Sequence, residues 1–226
     1  ANGGSGYTSS GGGGGGRIAI YYGSNNFGGS ITAYGGSGYQ PGGAGTVYTK
    51  GASQSYGDLV IRNNNVSGAV TDMVDSSYRF DNMEVKDKAI VNISSGDTVS
   101  STNLYVQNNV SLTNTGHIEV SGNYVLDSGG VMTQNAGSFN NRALVIGNGG
   151  TMNQNGGIFN NGDLTIENGG KFNLNTKQNL SNLSVKSGGL LTDNQGITAC
   201  EIEAFGDITI ESGGSIDASG GGYSGD

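Results

Sequence analysis

The chain has 226 residues, 45 of them glycine, a net charge of −8 and only 33% apolar residues. That apolar share is low for a globular core, and the ten basic residues form no cluster, which excludes a nucleic-acid surface. No run approaches eighteen consecutive apolar residues, so no segment reads as a membrane-spanning helix. Cys200 stands alone and reads as a small buried hydrophobe or an intermolecular crosslink, so the chain contains no disulfide framework. The acidic surface, rich in Gly, Asn, Ser and Thr and poor in Lys, reads as extracellular. No signal peptide opens the sequence, which points to a mature chain or a fragment of a longer one.

Residues 1–56 form a Gly/Tyr-rich zone. Ala1-Asn-Gly-Gly-Ser-Gly-Tyr7 matches Ala33-Tyr-Gly-Gly-Ser-Gly-Tyr39. Each copy is followed by a glycine stretch and a strand-like run, Arg17–Tyr22 and then Gly45–Lys50. The pattern predicts wide coils with Gly-rich loops. Gly11 to Gly16 is not a phosphate loop, because no Gly-Lys-Ser/Thr follows. Tyr7, Tyr39 and, at the far end, Tyr223 occupy matching places. They read as contacts to a ligand or another subunit, or as plugs over loop backbone, and the last is preferred.

Residues 57–226 are predicted to be the regular solenoid. Leu59 with Ile61, and Met83 with Val85, are irregular early copies of a unit that settles into a period of twenty. Leu104, Tyr124, Leu144 and Leu164 are twenty apart, and Leu183 follows after nineteen. Two residues after each comes Val106, Leu126, Ile146, Ile166 or Val185. Gly-Gly follows in four of these five units, then Leu112, Met132, Met152, Phe172 or Leu191. Alternation means strand, Gly-Gly means turn, and a fixed period of this length means a solenoid. Phe139, Phe159 and Leu180 are core candidates on a further strand. The spacing stretches to twenty-five between Leu183 and Ile208. A last unit at Ile208, Ile210 and Ile216 runs into Ala218 and Tyr223, repeating the motif of the N-terminal zone.

The polar positions recur as well. Asn135, Asn155 and Asn175 are in register, as are Asn140 with Asn160 and Asn141 with Asn161. Stacked about 4.8 Å apart, such amides can bond coil to coil as a ladder, or they can simply suit turns.

Gly11–Tyr22, Gly28–Gly36, Gly42–Lys50 and Tyr56–Ile61 resemble a segment of large, repetitive bacterial surface proteins. These are similar to the right-handed parallel β-helix (pectin-lyase-like) group, which includes filamentous adhesins and autotransporter passengers. The resemblance implies a secreted, surface-associated product and carries no catalytic motif.

Chemistry is sparse. Polysaccharide-cleaving β-helices need acids, or a Lys/Arg base, clustered on neighbouring coils. The row Gln107, Asp127, Glu167, Lys186 and Glu211 mixes types and reads as a solvated edge. Asp72, Asp75 and Asp81 are weak Ca²⁺ candidates without EF-hand or nonapeptide spacing. His117 is the only histidine and is expected to face outward.

The expected fold is all-β: a single right-handed parallel β-helix of about nine to eleven coils, roughly 45–55 Å long. No enzyme activity and no cofactor are expected. The expected function is structural, a building block of an extracellular filament, sheath or adhesive stalk. Copies would stack head to tail through ends that carry Tyr7, Tyr39, Ile216, Ala218 and Tyr223, or follow one another in a tandem array. The alternative is a cell-surface β-helix that binds or degrades carbohydrate. Ice binding by Thr or Asn rows ranks below both.

Overall fold

The computed structural model describes residues 1–74, 77–193 and 201–219. Before the first full coil stand β1 (Arg17–Tyr22), β2 (Thr46–Gly51) and β3 (Asp58–Arg62). The regular stack opens with β4 (Thr71–Met73) and β5 (Tyr78–Lys86). It continues through β6 (Ile90–Ile93), β7 (Thr98–Val106), β8 (Ser111–Asn114), β9 (His117–Leu126) and β10 (Val131–Gln134). Then come β11 (Ser138–Ile146), β12 (Thr151–Gln154), β13 (Ile158–Ile166) and β14 (Lys171–Leu174). The last coils hold β15 (Gln178–Leu180), β16 (Asn182–Val185), β17 (Leu190–Asp193), β18 (Ile202–Ala204), β19 (Ile208–Ile210) and β20 (Ser215–Asp217).

These strands build a parallel β-solenoid of about 7 turns with a spacing near 20 residues. One sheet runs β4-β6-β8-β10-β12-β14-β17-β20, and the other holds the long strands β5, β7, β9, β11 and β13 with their successors. Register follows the sequence period: Met132 pairs with Met152, Met152 with Phe172, and Phe172 with Leu191. Every repeat position named as core from Leu104 to Leu191 is buried, as are Phe139, Phe159 and Leu180. Each such side chain contributes roughly 1.5–3 kcal/mol by leaving water. Aromatic rings extend the stack along the axis, with centroids 5.2 Å apart for Tyr124–Phe139, 5.2 Å for Phe139–Phe159 and 5.6 Å for Phe159–Phe172.

The Gly-Gly turns combine two demands. Gly149 takes φ +72°, which a side chain resists, and a Cβ on Gly150 would stand 2.2 Å from the Leu126 carbonyl of the coil before. The first glycine makes the turn and the second lets successive coils touch.

The N-terminal zone departs from expectation. The solenoid has about 7 turns rather than nine to eleven, and residues 1–56 join it through an antiparallel strand pair. β1 and β2 are parallel to each other, but β2 pairs antiparallel with β3, the first strand that runs with the coils. The glycine stretches around them are not loops either. Gly3 and Gly6 donate to the Tyr34 and Ser37 carbonyls at 2.8 and 2.7 Å, and Gly12 and Gly15 to Gln40 and Gly43 at 2.9 Å each. Gly13 and Gly16 donate to Gly4 and Ala1, Gly36 and Tyr39 to Gly13 and Ser10, and Gly42 and Gly45 to Gly36 and Ala33. Toward any one neighbouring segment, donors recur every third residue. That is the period of polyproline II, which has no internal hydrogen bonds to offer, rather than the period of two in a strand. Four extended segments thus lie side by side as a glycine bundle. A Cβ on Gly3, Gly36 or Gly45 would stand 2.0 Å from a neighbouring carbonyl oxygen, and none of the three has a positive φ. Glycine is needed here for close approach, as at the axis of collagen.

The two Ala-x-Gly-Gly-Ser-Gly-Tyr copies lie against each other in register inside this bundle. The hydroxyl of Ser37 donates to that of Ser5 at 3.0 Å, and these are the same position of the two copies.

Candidate functional site

The residues singled out in the sequence fall into four places. Tyr7 and Tyr39 belong to the glycine bundle, where 87% and 76% of their surface is exposed. They cover no backbone, so the plug role is not theirs. Their exposure follows from position: each ring stands where its segment reaches a turn, Tyr7 at the bend closed by Ser10 N–H to the Tyr7 carbonyl at 3.0 Å. Tyr223 lies outside the described residues.

At the other end no described residue stacks on the last described coil. Ile208 and Ile210 pair with Leu183 and Val185, and Ile216 with Leu191, so all three occupy inward positions of the repeat. They are nevertheless 52%, 48% and 39% exposed. Ala218 follows Ile216 and is exposed too. Ion pairs fasten this coil to the one beneath. Lys186 meets Glu211 at 2.7 Å, and Lys177 meets both Glu201 and Glu203 at 2.9 Å. Its hydrogen bonds to Glu203 and Glu201 push the Lys177 pKa up to about 12. The hydrogen bond from Lys186 holds Glu211 below the usual carboxylate range, and bonds from Ser219 do the same for Asp217.

The asparagine rows are partly ladders. Asn155 donates to Asn135 at 2.9 Å, and Asn160 to Asn140 at 2.8 Å. Asn175 leaves its row: its side chain is buried and its N–H donates to the Gln154 side chain at 3.3 Å. The coil there is one residue shorter than its predecessors, which turns Asn175 inward. Asn141 and Asn161 pair in register but are buried, and no side-chain atom of either has a partner. Alternation separates the two rows, because Phe139 faces the core, Asn140 faces out and Asn141 faces in. Ladders not singled out from the sequence include Asn173 to Asn153 at 2.6 Å and Asn103 to Asn82 to Asp58 at 2.9 and 2.6 Å. Their signal is present as matching polar residues at outward strand positions about twenty apart.

The acidic residues are dispersed. Asp72 sits on β4 in one sheet and accepts from Asn92 at 3.0 Å. Asp81 sits on β5 in the other and accepts from the N–H groups of Tyr56 and Gly57 at 3.1 and 3.0 Å. Asp75 lies outside the described residues, as does Cys200. Among the described residues no three His, Cys, Asp or Glu side chains are grouped as a metal site. His117 pairs through Nδ1 with the Ser138 hydroxyl on the next coil.

The arrangement offers two ends of different construction and flanks held by amide ladders. No protein-family model matches the chain, and no curated protein or solved structure matches it either.

Proposed function

We propose that this chain is a non-catalytic building block of an extracellular filament, sheath or adhesive stalk. It extends either by stacking of copies head to tail or as one unit of a tandem array. The observation that carries this reading is the last described coil. Ile208, Ile210 and Ile216 continue the core stack and, among the described residues, have no coil above them. Exposed strand edges with apolar inward residues favour strand addition. Contact between two different ends of one rod propagates without closing, which yields a filament.

The partner end would be the N-terminal one. There β1 runs opposite to the coils. A copy stacked on β19 would therefore meet β1 in the antiparallel sense, and the glycine bundle, with Tyr7 and Tyr39, would flank the joint.

Electron microscopy of the native material with intact mass spectrometry tests this. Filaments built from a subunit near 22.8 kDa support non-covalent stacking, and filaments from a much larger chain support a tandem stalk. Single monodisperse particles of this mass would overturn the reading.

A further inference from the structure

The two sheets do not begin together. β1, β2 and β3 precede any strand of the sheet that starts with β4. The side of these strands that would face a second sheet faces the glycine bundle instead, and glycine has no side chain with which to fill the space between. A cavity of about 610 Å³ results. One wall is apolar, with Ile18, Leu59, Val70, Met73 and Phe80, and Tyr48 and Tyr78 add two more rings. The other wall is the bundle, mostly bare backbone, with Gly12, Gly14 and Gly15 on one segment and residues 42–45 on another. Its volume lies within the range of small-molecule sites, roughly 300–1,000 Å³.

A second observation concerns the backbone. Gly42 donates to Gly36, and Gly45 to Ala33. Between them Gly43 and Ala44 are buried and line the cavity. Among the described residues neither of their N–H groups has a protein acceptor. Buried backbone donors are nearly always paired, and among the described residues these two remain available to an acceptor in the cavity. Among the described residues the charged lining is one cation, Arg17, and one anion, Asp72.

We propose that this cavity is a binding site for a small, neutral, mainly apolar molecule carrying a carbonyl-type oxygen. The apolar body packs on Leu59, Met73 and Phe80, and the oxygen accepts from the Gly43 or Ala44 N–H. The proposal rests on the cavity lining alone and not on the filament reading.

The test uses 6-propionyl-2-(dimethylamino)naphthalene, a neutral ketone whose emission shifts to the blue in apolar surroundings. The full chain should give a saturable blue shift with one probe per chain. Val70→Trp should weaken binding at least about tenfold, because Val70 lines the cavity but is half exposed and can be enlarged without disturbing the core. Ile158→Ser, exposed on a distant coil and outside the lining, should leave binding unchanged. In competition, 2-acetylnaphthalene should displace the probe about fivefold better than 2-ethylnaphthalene, the worth of one hydrogen bond. Circular dichroism confirms that each variant keeps its β-structure. No saturable shift, or a shift that a folded Val70→Trp variant retains, would overturn the site. Equal displacement by the two naphthalenes would overturn the role of the unpaired N–H groups.

Discussion

Gly42 faces the carbonyl oxygen of Gly13 so closely that a Cβ on Gly42 would stand 1.9 Å from it. No rotamer relieves such a contact, since both partners are backbone. Gly42→Ala should therefore destabilise the N-terminal zone by about 2–4 kcal/mol, as overpacking without room to relax does. Gly28→Ala is the control, because nothing lies within 4 Å of the added carbon, and its effect should stay within about 0.5 kcal/mol. Denaturant unfolding of the two variants separates close packing from mere glycine content.

Phe139 stacks on Phe159 with an interplanar angle of 12° and also touches Tyr124. Phe139→Ala removes the middle of a fully buried column and should cost about 3–5 kcal/mol in urea unfolding.

The buried amides give a prediction of opposite sign. Asn161 hides both polar atoms without partners, on an inward position in register with Asn141, which itself pairs with Val120. Replacing a buried, unpaired amide by an apolar side chain of similar size removes its desolvation penalty. Asn161→Leu should raise the urea midpoint, by about 1–2 kcal/mol of stability. Asn160→Ala, one residue away on the exposed ladder, should instead lower stability by about 0.5–1 kcal/mol.

The last coil should respond to acid. Glu211 is held below its ordinary range by Lys186, so the pair favours the folded state above the unfolded carboxylate's pKa. That contribution is lost as pH falls through the lowered folded value. Asp217 acts in the same sense through Ser219. Lys177 acts at the other extreme: its raised pKa stabilises below the unfolded value of 10.5 and is lost as pH rises through about 12. Carboxyl ¹³C titration should place Glu211 below the usual glutamate range, and Lys186→Met should return it.

Much of this was legible in the residues, and the exceptions have physical causes. Alternation plus a strict period of twenty identifies the inward side chains from Leu104 to Leu191, because each strand buries one face and each coil repeats the last. The same rule distinguishes Asn140 from Asn141. It fails over residues 1–56, where glycine has no side chain to show which way it faces. There the organising interval is three, carried by backbone hydrogen bonds rather than side chains, and the run Arg17–Tyr22 gives no hint that it opposes the direction of the coils. The matching heptapeptides at Ala1 and Ala33 were visible as a repeat. That they lie against each other, leaving Tyr7 and Tyr39 in solvent, follows only from the bundle. The cavity between β1–β3 and the glycine bundle was invisible for the same reason, since it arises from one sheet starting before the other.

The register of the coils is tested most directly with the four methionines, Met73, Met83, Met132 and Met152. Selective ¹³C labelling of their methyl groups gives a spectrum of four signals. Met132 and Met152 pair in adjacent coils, while Met73 pairs with Ile93 and Met83 with Leu104. Coil-on-coil stacking at a period of twenty predicts a strong nuclear Overhauser contact between the Met132 and Met152 methyls, and from Met152 to the Phe172 ring. Absence of the Met132–Met152 contact in the folded chain would contradict the parallel, in-register solenoid and everything built on its ends.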